Sequence, residues 1–172
     1  MRHCPAATKM RGETMDPTLR RDIEQLHPAS FAWALACCSF RRDEAEDVLQ
    51  TVYLKLLDGR ARYEGRASLR TWLFAVIRNT AADRRRQSWV WSLGLDRLWQ
   101  KRVSPAPGPD GERRVQVRVA LLELPARQRE VLELVFYHDL TVEEAAQVMG
   151  VSVGSARVHY DRAKRRLAER LR

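Results

Sequence analysis

The sequence predicts an all-α protein with two small helical domains joined by a flexible linker. Apolar residues recur at the i, i+3, i+4, i+7 spacing of amphipathic helices, and strand-like alternation is scarce. Residues 104–111 hold three prolines and two glycines, which exclude a helix there. We therefore divide the 172 residues into a tail (1–16), a first domain (17–87), a linker (88–112) and a second domain (113–172).

The first domain is expected to contain a helical stretch from Leu19 to Phe40, with a break near Pro28. A further helix follows on helical spacing from Ala45 to Leu56. The next begins at Ser68, whose hydroxyl can cap it. Phe74 could face either the core or a ligand. The expected buried face of this helix holds Leu69, Trp72, Leu73, Val76, Ile77 and Thr80.

The second domain is predicted to begin with a short helix over residues 115–122. Pro125 then opens another helix, because proline is tolerated in a first turn. Its expected core-facing residues are Val131, Leu132, Val135 and Phe136.

The chain ends in a predicted helix-turn-helix. Thr141 caps the first of its helices, and Glu144 three residues later completes a capping box. Gly150 can take the left-handed conformation of the turn at little cost. Ser152 caps the long last helix. That helix is strongly basic, with Arg157, Arg162, Lys164, Arg165, Arg166, Arg170 and Arg172.

The charge pattern favours DNA as the partner. A net charge of +9 suits a polyanion, of which nucleic acid is the commonest and a membrane surface the rival. A solvated surface helix would also be charged, but it would not follow two caps, small residues and a glycine turn. In helix-turn-helix proteins the second helix enters the major groove.

Other classes of function find little support in the residues. The sequence lacks a glycine-rich phosphate loop, zinc-ligand spacing and a nucleophile–base pair, so we predict no enzyme, cofactor, metal or small-molecule substrate. Core packing is preferred over metal or redox roles for Cys37 and Cys38. No apolar stretch could span a bilayer and no secretory signal is visible, so a cytoplasmic location is expected.

The start of the linker is unusually rich in tryptophan, with Trp89, Trp91 and Trp99 beside several leucines. These residues could extend the first domain and bury against it, or they could form a patch for a partner or a membrane surface. We prefer burial, because the patch is short.

Two features of the first domain, an acidic helix start and a glycine-bearing loop before a basic helix, suit contacts with partners. Acidic residues between Asp43 and Asp47 begin a helix, where they complement its dipole, but they could also face a basic partner protein. The stretch from Tyr63 to Asn79 joins a glycine-bearing loop to a helix with aromatic residues and a basic face. Single-stranded DNA is bound by such combinations of stacking and phosphate contacts.

With these motifs in view, the chain resembles the extracytoplasmic-function sigma factors of the sigma-70 family from about Pro17 to Arg172. Ala45 to Gln50 is similar to the family's acidic helix. Ser68 to Asn79 is similar to its promoter-melting segment. Leu124-Pro125, Arg129 to Leu132 and the helix-turn-helix resemble its C-terminal domain. The resemblance implies a transcription initiation factor that binds core RNA polymerase and recognises the −10 and −35 promoter elements.

The resemblance also implies residue roles. Docking on the polymerase β′ subunit would fall on Asp43, Glu44, Glu46, Asp47 and Gln50. A loop that holds a flipped −10 base, and the helix after it, would supply Glu64, Gly65, Arg66, Ala67, Ser68, Arg78, Asn79, Arg84, Arg85 and Arg86. The −35 element would be contacted by Ser152, Ser155, Arg157, His159 and Arg162, with Arg165 and Arg166 holding phosphate.

Further partners implied by the resemblance are the polymerase β subunit and an anti-sigma factor. The sequence departs from many relatives at Val158-His159-Tyr160, where Tyr160 could be core or a reader of DNA and His159 is expected at the DNA. The alternative is a simple helix-turn-helix regulator, similar to the LuxR type, that acts without polymerase. The acidic helix and the segment from Trp72 to Asn79 would have no purpose in such a protein.

Overall fold

The computed structural model describes residues 16–91, 119–121 and 123–171, and every regular element in these ranges is helical. The first domain has α1 (Pro17–Gln25), α2 (His27–Cys37), α3 (Arg42–Leu57) and α4 (Leu69–Trp91). The second has α5 (Ala126–Leu132), a π-helical turn (Glu133–Tyr137), α6 (Val142–Met149) and α7 (Val153–Arg170). Residues 119–121, within the helix expected over 115–122, are also helical. The all-α prediction is therefore confirmed.

The helix ends carry the caps that the sequence predicts. The Ser68 hydroxyl accepts a hydrogen bond of 3.1 Å from the amide three residues later. Thr141 and Glu144 bond to each other's backbone amides, which completes the capping box. Gly150 has a φ of 63°, the expected left-handed turn. The Ser152 hydroxyl accepts from the Ser155 amide at 3.2 Å. Short-range chemistry therefore places these boundaries.

The buried face of α4 is rotated from its expected position. Phe74 is fully buried, which answers the question that the sequence left open, and Thr71 is buried with it. Trp72 and Val76, both expected in the core, are half-buried. The rotation occurs because α4 packs against α2 and α3 on one side and against α6 on another, so it buries a wider surface than one domain would need.

Helix α4 continues to Trp91, four residues into the segment that the sequence assigns to the linker. Residues 88–91 thus extend the last helix of the first domain. The remainder of the expected linker, including Trp99, lies outside the described residues, as do the tail at residues 1–15 and the C-terminal Arg172.

One expectation for the second domain is wrong. The spacing places Phe136 in the core, yet 64% of its surface is exposed. The cause is the π-helical turn at Glu133–Tyr137, which has more residues per turn than an α-helix and therefore rotates the side chains after Leu132 out of register. Leu134 takes the buried position instead.

The two domains pack against each other and share a continuous apolar core. Helix α6 lies along α4, and its Ala145, Val148 and Met149 join the cluster that contains Leu73 and Ile77. The sequence predicts two domains but carries no signal for this interface.

An aromatic cluster forms part of the interface. His138 of the second domain is buried beside Trp33 and Phe74, with ring centroids 5.7 Å and 4.8 Å away. Trp33 Nε1 donates a 3.0 Å hydrogen bond to the Phe74 carbonyl, which fixes this pair. His138 Nε2 is buried without a hydrogen-bond partner among the described residues. Burial, aided by the positive charge of Arg70, lowers the pKa of His138 to about 4.

We expect Gly150→Ala to lower the free energy of unfolding by about 1 kcal/mol, because alanine is strained in the left-handed conformation. No heavy atom lies within 4 Å of the added Cβ, so the loss would be conformational alone. Gly154→Ala is the matched control: its site in α7 is equally open, and it should raise stability by about 0.5–1 kcal/mol. Urea denaturation measures both, and equal effects of the two changes would contradict the explanation.

We expect the domain packing to weaken in acid. The pKa of His138 is about 4 in the fold and 6.5 for an unperturbed histidine, as in the unfolded chain, so the unfolded chain binds more protons between these values. The His138 contribution is therefore complete above pH 6.5 and falls as the pH drops toward 4. Arg70 of α4 opposes the imidazolium, and the neighbouring Asp139 favours it.

The measurement is the free energy of unfolding across this pH range for the wild type and His138→Phe. The variant keeps an aromatic ring but cannot titrate, so its pH dependence should be shallower than that of the wild type. Identical pH slopes would show that His138 does not link the packing to protons.

Candidate nucleic-acid interface

The last helix, α7, presents a basic surface that is exposed to solvent. Ala156 and Ala163 are buried on the inner side of α7 and Tyr160 is half-buried between them, so the opposite side of the helix faces outward. Ser155, Arg157 and Arg162 are exposed, and His159 is half-buried. Arg165 and Arg166 are exposed one turn later. The structure thus brings the predicted −35 residues together on one helix, with its capped N-terminus at one end.

Arg157 is held by Glu143, a residue for which the sequence carries no signal of a role at this surface. Its Nη2 donates a 2.7 Å hydrogen bond to Glu143 in the first turn of α6. This bond is the main cause of a lowered pKa of Glu143. Both side chains remain largely exposed, so the pair contributes little to stability. Its effect is to hold the guanidinium in a defined position above the surface of the helix-turn-helix.

An aromatic edge borders this surface. Tyr160 is half-buried against the core, and the exposed ring of Phe136 stacks on it at 5.9 Å. The Lys164 ammonium lies 4.4 Å from the Tyr160 centroid, within cation–π range. Val158 is 47% exposed on the same helix. The sequence signal for Val158 was a valine among the polar residues of a basic helix, since exposed apolar groups can contact thymine methyls.

The loop before α4 forms a pocket of about 400 Å³. Tyr63 stabilises the loop by donating a 2.7 Å hydrogen bond to the Ala67 carbonyl, and its ring lies 5.3 Å from that of Trp72. Gly65 turns the loop with a φ of 72°. The predicted Glu64, Arg66 and Ala67 all line the pocket, together with Arg62, Thr71, Trp72, Ala75 and Gln147.

The remaining predicted −10 residues are separated from this pocket. Asn79, Arg85 and Arg86 line a different cleft of about 410 Å³ between the domains. Arg84 bonds to Asp47 of α3 at 2.7 Å. Arg86 pairs with Asp83.

Arg78 departs from the expectation of an exposed basic face. It is only 15% exposed, because Glu130 of α5 binds its guanidinium at 2.5 Å and 3.3 Å. The packing of the second domain on α4 causes this burial, and no pattern within the first domain could reveal it.

The acidic residues at the start of α3 lie together, as the sequence predicts. Asp43, Glu46, Asp47 and Gln50 are exposed, and Glu44 is half-buried. Two arginines pair with this edge: Arg41 with Glu44 at 2.6 Å and Arg42 with Glu46 at 2.8 Å. Because Asp47 binds Arg84, the acidic edge is tied directly to α4.

Cys37 and Cys38, the cysteines within the described residues, show no sign of reactive chemistry. Burial raises the pKa of Cys38 to about 11 and that of Cys37 well above its usual value, so both thiols stay protonated at neutral pH.

Within the described ranges no cluster of His, Cys, Asp and Glu could hold a metal ion. Over the same ranges, no helix combines the length and the apolarity needed to cross a bilayer.

Comparison with known proteins matches both domains. The family model for sigma-70 region 2 matches residues 23–90, and the model for sigma-70 region 4 matches residues 114–167. The ECF RNA polymerase sigma factor EcfG of Rhodopseudomonas palustris is 30% identical over 88% of this chain and 83% of its own length. SigF of Caulobacter vibrioides is 32% identical over 75% of this chain and 72% of its own.

A solved structure is similar across both domains. It is the sigma factor RpoE from Bartonella quintana in complex with the anti-sigma factor NepR, with a TM-score of 0.76 and 27% identity. The match covers 91% of this chain and 98% of that one. Neither domain alone is long enough to give such a score, so the two domains of that relative lie in a similar relative arrangement. On these matches, this chain belongs to the family of extracytoplasmic-function RNA polymerase sigma factors.

Proposed function

We propose that the protein binds core RNA polymerase, directs it to promoters by recognising −10 and −35 elements, and helps to melt the DNA. The observation that carries the proposal is the presence of both sigma regions, in family order, in one helical chain. A simple helix-turn-helix regulator is not favoured, because such a protein would need no region 2. The chain acts as an initiation factor without chemistry of its own, in the cytoplasm where its polymerase works.

For the −35 element, we assign major-groove contacts to the outward surface of α7. Ser155, Arg157, His159 and Arg162 are its readers, and Ser152 lies at the helix N-terminus, where a phosphate is favoured. The fixed position of Arg157 beside Glu143 supports a role in reading a base edge. Arg165 and Arg166, further along the exposed surface, suit phosphate contacts.

For the −10 element, we assign the pocket before α4 to a base flipped from the non-template strand. Its volume of about 400 Å³, its aromatic wall at Trp72 and its cations at Arg62 and Arg66 support this assignment. Gly65 and Ser68 belong to the same loop. The surface of α4 that carries Arg78, Asn79 and the arginines at residues 84–86 would follow the strand.

For polymerase docking, we assign the β′ contact to the exposed acidic edge of α3. A concentrated acidic edge on a chain of net charge +9 supports a basic partner surface. The β subunit is the second polymerase contact by family resemblance. The likeness to RpoE bound to NepR supports control of this chain by an anti-sigma factor.

Reconstituted transcription tests the proposal. Core bacterial RNA polymerase, fragmented genomic DNA of the source organism and this protein should give new discrete transcripts whose start sites define both promoter elements. Asp47→Lys should abolish these transcripts and the binding of core polymerase, because it reverses charge at the β′ contact. Tight duplex binding by the protein alone, without transcripts, would favour the simple regulator.

Arg84→Gln is the control for Asp47→Lys in the polymerase-binding assay. It removes the same 2.7 Å ion pair but leaves the Asp47 carboxylate in place, so it should still bind core polymerase. If Asp47→Lys also bound like the wild type, the β′ assignment would be wrong.

Arg157→Ala should weaken promoter recognition by about 1–3 kcal/mol in a manner that depends on the −35 sequence. Arg165→Ala should weaken it almost uniformly, since a phosphate contact carries no base preference. Holoenzyme binding to a library of −35 variants separates the two effects. A uniform loss for Arg157→Ala would make that residue a phosphate contact instead.

A further inference from the structure

The outermost position of α7 is taken by an apolar side chain. Val158 is 47% exposed, although it lies in the N-terminal half of a helix whose other outward side chains are mostly charged or polar. At about 100° per residue, it projects almost directly away from the side on which Ala156, Tyr160 and Ala163 are buried or half-buried. Val158 is therefore at the centre of the outward surface of α7.

The residues beside Val158 leave its methyl groups uncovered. A helical side chain leans toward the helix N-terminus, over the residues three and four positions earlier. For Val158 these are Ser155 and Gly154. Apart from its chain neighbours, no side chain lies within 4 Å of the position that a Cβ on Gly154 would take. Another molecule can thus approach the valine closely from this side.

The stability of the fold does not account for a valine here. A β-branched residue is a weaker helix former than alanine, so the helix itself gains nothing from it. Val158 also takes no part in either apolar cluster of the described residues. Its methyl groups gain free energy only where a partner covers them with an apolar group of its own.

The neighbours of Val158 on this surface are proposed DNA contacts. Ser155 lies three positions before it and Arg162 four positions after it, so both are adjacent to it on the helix surface. When these two side chains meet base edges in the major groove, the side chain between them faces the floor of the groove as well. The −35 role of α7 belongs to the proposed function, on which the inference below rests.

The base edges in the major groove offer a single methyl group. Guanine, adenine and cytosine present ring nitrogens, carbonyl oxygens or amino groups there, whereas thymine presents a carbonyl oxygen and its C5 methyl. Valine can neither donate nor accept a hydrogen bond, so it would remove water from a polar edge without replacing the lost bond. Against thymine, it buries the methyl group instead.

We infer that Val158 packs on the C5 methyl group of one thymine in the −35 element and thereby selects a T·A pair at that position. The inference deepens the proposed function: Ser155, Arg157 and Arg162 read polar edges of the bases, and Val158 reads an apolar one.

Removing single methyl groups from the DNA tests the inference. The protein is bound to core polymerase, and the probes are duplexes with the −35 element of a promoter mapped by reconstituted transcription. Each thymine of the element, on either strand, is replaced in turn by deoxyuridine, which lacks only the methyl group. The wild-type holoenzyme should bind one of these duplexes about fourfold more weakly, the factor expected for one apolar carbon returned to water. At that position 5-methylcytosine should bind more tightly than cytosine.

Val158→Ala should lose this discrimination, because it lacks the two methyl groups that reach the base. Val153→Ala is the matched control: it truncates another partly exposed valine of α7, about 140° around the helix, and should keep the fourfold effect. Alanine is the better helix former, so both variants should stay folded, which circular dichroism checks.

The outcomes separate this inference from the proposed function. If the wild-type holoenzyme recognises the −35 element yet tolerates deoxyuridine at every position, the inference is wrong and the proposed function stands. The same conclusion follows if Val158→Ala keeps the discrimination, or if Val153→Ala loses it equally. If no form of the protein supports transcription with core polymerase, the proposed function fails and the inference with it.

Discussion

The insertion of His138 between the domains is the interaction on which the described arrangement depends. The imidazole is buried beside Trp33 and Phe74, so it must be neutral, and its low pKa records the cost of a charge there. The same packing brings Glu130 onto Arg78 and aligns α6 with α4. Separating the domains would expose an aromatic cluster and a buried ion pair together, which makes their association cooperative.

Ion pairs among the described residues fall into two classes, which differ in how easily they can be broken. The pairs Arg157–Glu143, Arg84–Asp47 and Arg66–Glu64 are exposed to water, which screens them, so their separation costs little free energy. Arg78–Glu130 is buried, and removing one partner would leave an uncompensated charge. The exposed pairs hold their arginines in position at the surface, whereas the buried pair keeps Arg78 away from solvent.

The similarity to RpoE in its complex with NepR gives the packing a wider context. A TM-score of 0.76 over 91% of this chain requires both domains to be placed in a comparable way in that relative. In the present chain, the residues that maintain the arrangement belong to the chain itself. The fold therefore supplies a compact form in which the basic surface of α7 and the acidic edge of α3 remain exposed.

The sequence by itself determined the features that short-range chemistry controls. These are the helical class, the caps at Ser68, Thr141 and Ser152, the turn at Gly150 and the resemblance to sigma factors, since each depends on neighbours in the chain. Residue roles at the promoter followed from that resemblance and remain proposals.

Only the tertiary structure decided what depends on distant contacts. The π-helical turn exposed Phe136 although its spacing matched a buried face. Phe74 is buried between Trp33 of the first domain and His138 of the second, and Arg78 is shielded from solvent because the second domain packs on α4. Periodicity reports which side of a helix is apolar, but an interface between domains is formed by residues far apart in sequence, and their pairing carries no local signal.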